Sequence, residues 1–182
     1  EWLRVQKKNV FVDLKFFDVP QTVKSAVAQL RHRDAQFVSV HGNDAILEAA
    51  VESRGDSLKV LSVTVLTSLD QKDIDDLGFK CNVKELVLSR AKRALQIGCD
   101  GVISSGLEAS RLRNELGDKF LIVTPGIRPV ENKDDQKRIV DVKTAFKNGA
   151  DYIVVGRPIL QDKNPAQKAE AFQKEISLIF SD

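Results

Sequence analysis

The chain has 182 residues, of which 42% are hydrophobic and 30% charged, and its 28 basic and 26 acidic residues leave a net charge of +2. This length and composition are typical of one globular domain, and we expect a single domain over residues 1–182. No apolar run approaches the roughly 18 residues needed to span a membrane. The basic residues are dispersed without aromatic interleaving, which argues against nucleic-acid binding.

Six short apolar runs rich in β-branched residues alternate with amphipathic segments along the chain. The runs predict strands at residues 10–14, 37–41, 60–66, 101–104, 120–124 and 152–155. The segments carry apolar residues three and four apart and predict helices at 23–32, 45–52, 83–97, 107–116, 142–148 and 166–180. Strict alternation implies parallel strands joined by right-handed crossovers, so the fold class is α/β.

Two α/β architectures compete, a doubly wound open sheet and a TIM (β/α)8 barrel. Polar residues or glycines follow the carboxyl ends of the predicted strands, at Lys15, His41, Thr67, Ser105, Gly126 and Arg157. A barrel whose βα loops share one face has this pattern, whereas no GxGxxG follows a strand to support a nucleotide fold. At roughly 30 residues a unit, two units of about 60 residues are lacking. We therefore expect strands three to eight, with the two N-terminal βα units missing.

The first strand ends in a group of three charges, Asp13, Lys15 and Asp18. Side chains two apart on a strand share a face, so Asp13 and Lys15 lie together, and Asp18 follows where the chain turns. Two carboxylates favour the lysine cation, which suits a proton donor and not a Schiff-base amine. The alternative interpretation is a solvated salt-bridge cluster.

Two later segments suggest a phosphorylated substrate. Gly156 and Arg157 follow the last strand, where glycine admits an anion and arginine offers a fork of donors. Residues 130–138 form a charged run, uncommitted to a core, that is typical of an active-site lid. Thr67 follows the third visible strand with donors suited to a heterocycle. A surface glycine turn and a merely solvated loop remain the alternatives.

The cysteines and histidines do not indicate a metal site. Cys81 and Cys99 match no metal-ligand or redox spacing, and the chain has only two histidines. We therefore expect a reduced, cytoplasmic protein without a bound metal.

Six segments together resemble the orotidine 5′-phosphate decarboxylase family, in its order and spacing: DLKFFDVPQTV, SVTVLTSLD, GCDGVISS, VTPGIRP, DDQKR and DYIVVGRPI. The first motif alone is shared with related sugar-phosphate lyases, and the combination is specific. The resemblance implies a cofactor-free lyase of pyrimidine biosynthesis that converts orotidine 5′-phosphate to uridine 5′-phosphate (UMP). It also implies a homodimer with shared active sites.

The resemblance assigns roles to the charged motif. It implies that Lys15 protonates the carbon vacated by carbon dioxide and that Asp13 lies beside the departing carboxylate. It implies that Asp18 and Thr22 serve the partner subunit's site. The family also uses an aspartate after its first strand and a lysine after its second, and neither segment is in this sequence.

The remaining implied contacts lie further along the chain. Thr67 meets the pyrimidine, Arg128 and Gln136 belong to the lid, and Gly156 and Arg157 hold the phosphate. Two other functions are weighed against this one: a metal-dependent sugar-phosphate lyase on the same barrel, and a non-catalytic fragment that binds phosphorylated ligands.

Overall fold

The computed structural model describes residues 2–128 and 137–181. Six strands lie within these residues: β1 (Val10–Phe16), β2 (Ala35–Val40), β3 (Lys59–Val63), β4 (Gly101–Ile103), β5 (Leu121–Thr124) and β6 (Tyr152–Ile153). Their order in the sheet follows the chain. The pairs β1–β2, β2–β3, β3–β4 and β5–β6 are all parallel. The predicted strand–helix alternation and parallel strands are confirmed.

Nine helices lie in the same described residues. They are α1 (Trp2–Val5), α2 (Pro20–Arg31), α3 (Asp44–Ser53), α4 (Gln71–Asp76), α5 (Val83–Ile97), α6 (Ala109–Leu116), α7 (Val142–Lys147), α8 (Arg157–Leu160) and α9 (Pro165–Ile179). The six predicted helices are confirmed. The three helices that the sequence pattern missed, α1, α4 and α8, have four to six residues. Segments of fewer than two turns are too short to display a period of 3.6 residues.

The chain divides into two compact units. Unit 1 comprises Glu1–Thr64, Val87–Ile103 and Lys119–Leu121, and unit 2 comprises Val65–Leu86, Ser104–Asp118 and Ile122–Asp182. In unit 1, valines of α2 are buried, as are valines of β2 and β3. In unit 2, Val142 and Ala145 of α7 form a core with Ile127, Val140 and Ala150, against which Phe172 and Ile176 of α9 pack.

An aspartate just before β4 clamps the amino end of β3 in unit 1. The Asp100 carboxylate accepts a hydrogen bond from the Val60 backbone N–H at 2.8 Å and forms an ion pair with Arg54. The Arg54 guanidinium also donates to the Gly98 carbonyl oxygen at 3.0 Å. The Val60 residue is fully buried, so the carboxylate satisfies an N–H that water cannot reach.

Unit 2 repeats this clamp with different residues. Asp151, just before β6, accepts from the Ile122 N–H of β5 at 2.7 Å and pairs with Arg113 at 2.5 Å. Arg113 donates to the Gly149 carbonyl oxygen at 3.0 Å, as Arg54 does to Gly98. The sequences GCDG and GADY therefore encode the same device at the amino ends of two strands.

We predict that Asp100→Ala lowers the free energy of unfolding by about 1–3 kcal/mol, because the buried Val60 N–H loses its acceptor. Urea denaturation measures the change. Asp56→Ala, at an exposed turn of the same unit, is the control and should change stability by less than about 0.5 kcal/mol. Equal effects of the two substitutions would contradict the clamp.

Candidate active site

The Asp13 and Lys15 side chains form an ion pair on β1. The Lys15 Nζ lies 2.9 Å from the Asp13 Oδ1, and about a third of each side chain remains exposed, 39% and 34%. The shared face follows from their spacing of two residues on a strand. The pair thus presents a cation and an anion side by side, with access for a ligand.

Ser39 on the neighbouring strand β2 fixes this pair. Its hydroxyl donates to the Asp13 Oδ1 at 2.7 Å and accepts from the Lys15 backbone N–H at 2.8 Å. The pairing of β1 with β2 shifts register between Val12 and Phe16. Within this irregularity Lys15 has a φ of +50°, a left-handed conformation that costs a residue with a side chain about 1–3 kcal/mol. Such strain is typical of functional sites, where the surrounding contacts hold it in place.

Asp18 and Thr22 lie beyond the end of β1. The Asp18 carboxylate accepts from the Val19 N–H at 2.6 Å, and within the described residues it forms no ion pair with Lys15. Thr22 lies in the first turn of α2, exposed. The structure therefore joins two of the three predicted charges in an ion pair, and within the described residues the third is not part of it.

Thr67 in unit 2 lies four residues beyond the end of β3 and is buried. Its carbonyl oxygen accepts from the backbone N–H groups of Lys137 and Arg138, at 3.2 and 3.3 Å. The predicted strand at 60–66 ends earlier, at Val63, because the Val65 and Leu66 carbonyls bond to the Arg138 side chain. The segment 65–68 is thus a turn fixed by hydrogen bonds from a distant part of the chain.

The predicted phosphate residues lie at the start of the short helix α8. Gly156 precedes this helix, and Arg157 is its first residue and half-buried. A Cβ added at Gly156 would meet no atom within 4 Å, so there is open space beside the backbone at this position. Space next to a glycine and a guanidinium suits an anion.

The predicted lid residues are only partly described. Arg128 is buried, donating from Nη1 to the Ile127 carbonyl oxygen at 2.8 Å. Its backbone N–H bonds to the Val140 carbonyl at 3.1 Å. Gln136 lies outside the described residues.

The end of the charged run differs from the prediction at Arg138, and both Lys137 and Arg138 form ion pairs. The Lys137 Nζ contacts the carboxylates of Asp70 and Asp73 at 2.9 and 2.8 Å. Arg138 is 8% exposed and pairs with the buried Glu108 at 2.9 Å. The expectation that residues 130–138 remain uncommitted to a core is therefore wrong for Arg138, whereas Lys137 is exposed.

Three residues with structural roles at the site were not predicted: Ser39, Glu108 and Arg138. Ser39 interrupts an otherwise apolar run, which is a signal for a buried polar contact. Arg138 immediately precedes the apolar residues Ile139 and Val140. This apolar pair was the sequence signal that could have indicated its burial. Nothing in the sequence indicated that Glu108 would be its partner.

The described residues contain neither a membrane-spanning helix nor a cluster of metal-binding side chains. No helix there is long and apolar enough to cross a bilayer. No group of three or more His, Cys, Asp or Glu side chains in that part of the chain is arranged to hold a metal ion.

The chain matches a known family over nearly its whole length. The sequence model of the "Orotidine 5′-phosphate decarboxylase / HUMPS family" matches residues 1–172. A curated orotidine 5′-phosphate decarboxylase of Methylococcus capsulatus is 60% identical over 183 residues, covering 100% of this chain and 75% of that protein. One from Nitrobacter winogradskyi is 47% identical, covering 96% of this chain and 74% of its own.

Solved structures agree with the sequence relatives. A crystal structure of orotidine 5′-phosphate decarboxylase from Lactobacillus acidophilus has a TM-score of 0.82 and 36% identity, covering 96% of this chain and 78% of that one. One from Pyrococcus horikoshii has a TM-score of 0.69 at 25% identity, covering 96% and 77%. The fold class is therefore the α/β TIM barrel type. The chain belongs to the orotidine 5′-phosphate decarboxylase / HUMPS family.

We predict that Lys137→Met raises the pKa of Asp70. Hydrogen bonding from the Lys137 ammonium, followed by the Asp73 backbone N–H, lowers the pKa of Asp70 from 3.8 to about 2. Since the folded-state pKa lies below the ordinary value, the contact stabilises the fold above pH 3.8 and that stabilisation is lost as pH falls towards 2. Carboxyl carbon NMR titration measures the midpoint.

Lys143→Met is the control for this titration, since Lys143 is a lysine of α7 in the same unit that acts on Asp141. It should leave the midpoint of Asp70 where it is. An unchanged Asp70 midpoint in Lys137→Met would show that the ion pair does not form in solution.

Proposed function

We propose that the protein decarboxylates orotidine 5′-phosphate to UMP, a step of de novo pyrimidine biosynthesis, with Lys15 as the proton donor. The observation that carries the proposal is the Asp13–Lys15 ion pair on a strained strand end, in a chain 60% identical to an orotidine 5′-phosphate decarboxylase. The reaction class is carbon–carbon lyase. Carboxylate loss is the chemistry that a fixed ammonium beside a carboxylate can assist.

The ammonium and the carboxylate have separate tasks. When the bond to the carboxylate breaks, carbon dioxide leaves and the electron pair stays on the ring carbon. The Lys15 ammonium stabilises this developing charge and then transfers a proton to that carbon. Asp13, 2.9 Å from Lys15, lies beside the substrate carboxylate and orients the ammonium. Solvent restores the proton on Lys15, so the proposed reaction needs no cofactor.

The remaining substrate contacts are assigned on the same basis. Arg157 and the open space beside Gly156 hold the phosphate, and the segment at Thr67 binds the pyrimidine. Arg128 and Gln136 belong to the element that covers the substrate. Binding energy from the phosphate, remote from the reacting carbon, can contribute to orienting the substrate for reaction. A phosphorylated nucleotide and two unpaired cysteines fit a reaction in the cytoplasm.

We further propose a homodimer in which Asp18 and Thr22 complete the partner's site. The support is local. Asp18 does not pair with Lys15 of its own chain within the described residues, and the apolar side chains around it are exposed: Leu14 by 69%, Phe17 by 67% and Val19 by 63%. Neighbouring exposed apolar side chains of this size are typical of a protein–protein interface.

A metal-dependent sugar-phosphate lyase is the alternative that shares the first motif, but the curated relatives at 60% and 47% identity are named orotidine 5′-phosphate decarboxylases. An assay with excess chelator separates the two activities, because the decarboxylation proposed here proceeds without a metal. Loss of turnover in chelator would favour the metal-dependent lyase. Nucleotide binding without turnover would favour a non-catalytic binding protein.

In the full-length protein, Lys15→Ala should lower kcat by at least about 10²–10⁴-fold, because it removes the proton donor of the reaction. The affinity for UMP should fall far less, since the group acts mainly in the transition state. Steady-state kinetics and calorimetry measure the two quantities. Lys24→Ala removes an exposed lysine paired with Glu52 and is the control. Near-normal turnover of Lys15→Ala would refute the assigned role.

The shared site predicts complementation between two inactive variants. Full-length Lys15→Ala and Asp18→Ala should each be poorly active alone. After subunit exchange, half of the dimers are mixed and each has one intact site of two, so activity should return to about a quarter of wild type. If mass spectrometry confirms exchange and activity stays absent, Asp18 serves its own chain and the shared site is wrong.

A further inference from the structure

One residue of unit 2 binds three consecutive carbonyl oxygens. The Arg138 Nη2 donates to the carbonyls of Val65 at 2.8 Å and Leu66 at 2.9 Å. The Arg138 backbone N–H donates to the next carbonyl, that of Thr67, at 3.3 Å. Arg138 therefore donates to every carbonyl from residue 65 to residue 67, and it shares the Leu66 carbonyl with the Leu69 N–H and the Thr67 carbonyl with the Lys137 N–H.

Arg138 is itself held by a buried carboxylate. Its Nη1 contacts the Glu108 Oε1 at 2.9 Å, and the two side chains are only 9% and 4% exposed. The Ser105 hydroxyl donates to the Arg138 carbonyl at 3.3 Å. The guanidinium thus connects the segment after β3 with the segment after β4. The planar guanidinium suits this task better than a lysine ammonium, because its five donors are fixed in a fork that spans separate acceptors.

The buried pair is poorly explained by stability alone. Removing two charges from water costs several kcal/mol per ion, and apolar side chains of equal volume often stabilise a fold as well or better. In addition, the Glu108 Oε2 and the Arg138 Nε have no hydrogen-bond partner among the described residues. What the guanidinium supplies, and an apolar side chain cannot, is the fixed orientation of the turn at Thr67.

The peptide geometry shows what that orientation presents. In a planar trans peptide the N–H points opposite to the C=O. The Leu66 carbonyl shares its plane with the Thr67 N–H, and the Thr67 carbonyl shares its plane with the Ser68 N–H. With both carbonyls directed at Arg138, the N–H groups of Thr67 and Ser68 point to the opposite side of the turn.

We infer that Arg138, held by Glu108, is the positioning residue for pyrimidine recognition at Thr67. This inference rests on the proposed function, which places the pyrimidine at Thr67. Arg138 contributes no atom to the ligand. It keeps the peptide groups of residues 66–68 in the orientation needed to bind the ring. It does not affect the phosphate contacts at Gly156 and Arg157.

The test compares two ligands that share a ribose phosphate and differ in the ring, UMP and ribose 5-phosphate. In the full-length protein, Arg138→Met should weaken UMP binding by on the order of ten- to a hundredfold, since small misplacements of binding groups have effects of this size. The affinity for ribose 5-phosphate should stay within about twofold of wild type. Glu108→Gln keeps an acceptor and removes the charge, so it should weaken UMP binding in the same sense but less. Isothermal titration calorimetry measures both affinities.

Arg113→Met is the matched control. Arg113 also donates to a carbonyl, that of Gly149, and pairs with a carboxylate, that of Asp151, but it fixes the amino end of a strand. It should lower stability without changing the ratio of the two affinities. If the role of Arg138 were only structural, Arg138→Met would behave in the same way. The ratio of the UMP and ribose 5-phosphate affinities, and not the stability, therefore separates a structural role from a positioning role.

Three results decide the outcome. An unchanged ratio of affinities in Arg138→Met would overturn the positioning role, whether both affinities fall or neither does. If Arg138→Met does not fold, Arg138→Lys and Glu108→Gln are judged by the same ratio. A wild-type protein that binds UMP no better than ribose 5-phosphate would overturn the proposed pyrimidine site itself, and the inference with it.

Discussion

Two aspartate clamps at the amino ends of strands are the interactions on which the rest of the structure depends. Asp100 in unit 1 and Asp151 in unit 2 each accept the N–H of a neighbouring strand and each pair with an arginine. They satisfy buried backbone donors that the sheet leaves unpaired at its amino end. These stabilising contacts lie at the amino ends of the strands. The polar residues that follow the carboxyl ends are the candidates for binding and catalysis, as in TIM barrels generally.

At the Asp13–Lys15 pair, contacts from a neighbouring strand offset the cost of a strained backbone. The left-handed backbone at Lys15 is unfavourable, and it persists because Ser39 on β2 bonds both to the Lys15 N–H and to the Asp13 carboxylate. One buried hydroxyl therefore fixes the backbone of the cation and the position of its counter-ion together. The ammonium is set in place before any ligand arrives, which is the condition for electrostatic stabilisation without reorganisation.

Adjacent cations of unit 2 show how burial changes the role of an ion pair. Lys137 is half-exposed and bridges Asp70 and Asp73, which also form the capping box of α4. Water screens this contact, so it contributes little to stability at neutral pH. Arg138, the next residue, is buried with Glu108, and its side chain donates to the Val65 and Leu66 carbonyls, so its loss takes a donor from the Val65 carbonyl and from the buried Glu108 carboxylate. Lys137 and Arg138 thus differ in role because the first is exposed to solvent and the second is buried.

The sequence by itself determined the strand–helix alternation, the α/β class and the family, because periodicity and motif spacing are local properties of the chain. It also placed Asp13 and Lys15 on one face, since a strand alternates its side chains. Only the tertiary structure decided that Ser39 joins that pair, that the predicted strand at 60–66 stops at Val63, and that Arg138 is buried. Each of these depends on a hydrogen bond between residues 24 to 73 positions apart. Local patterns do not contain such partners, because the energy of a buried polar group is set by what the fold brings to it.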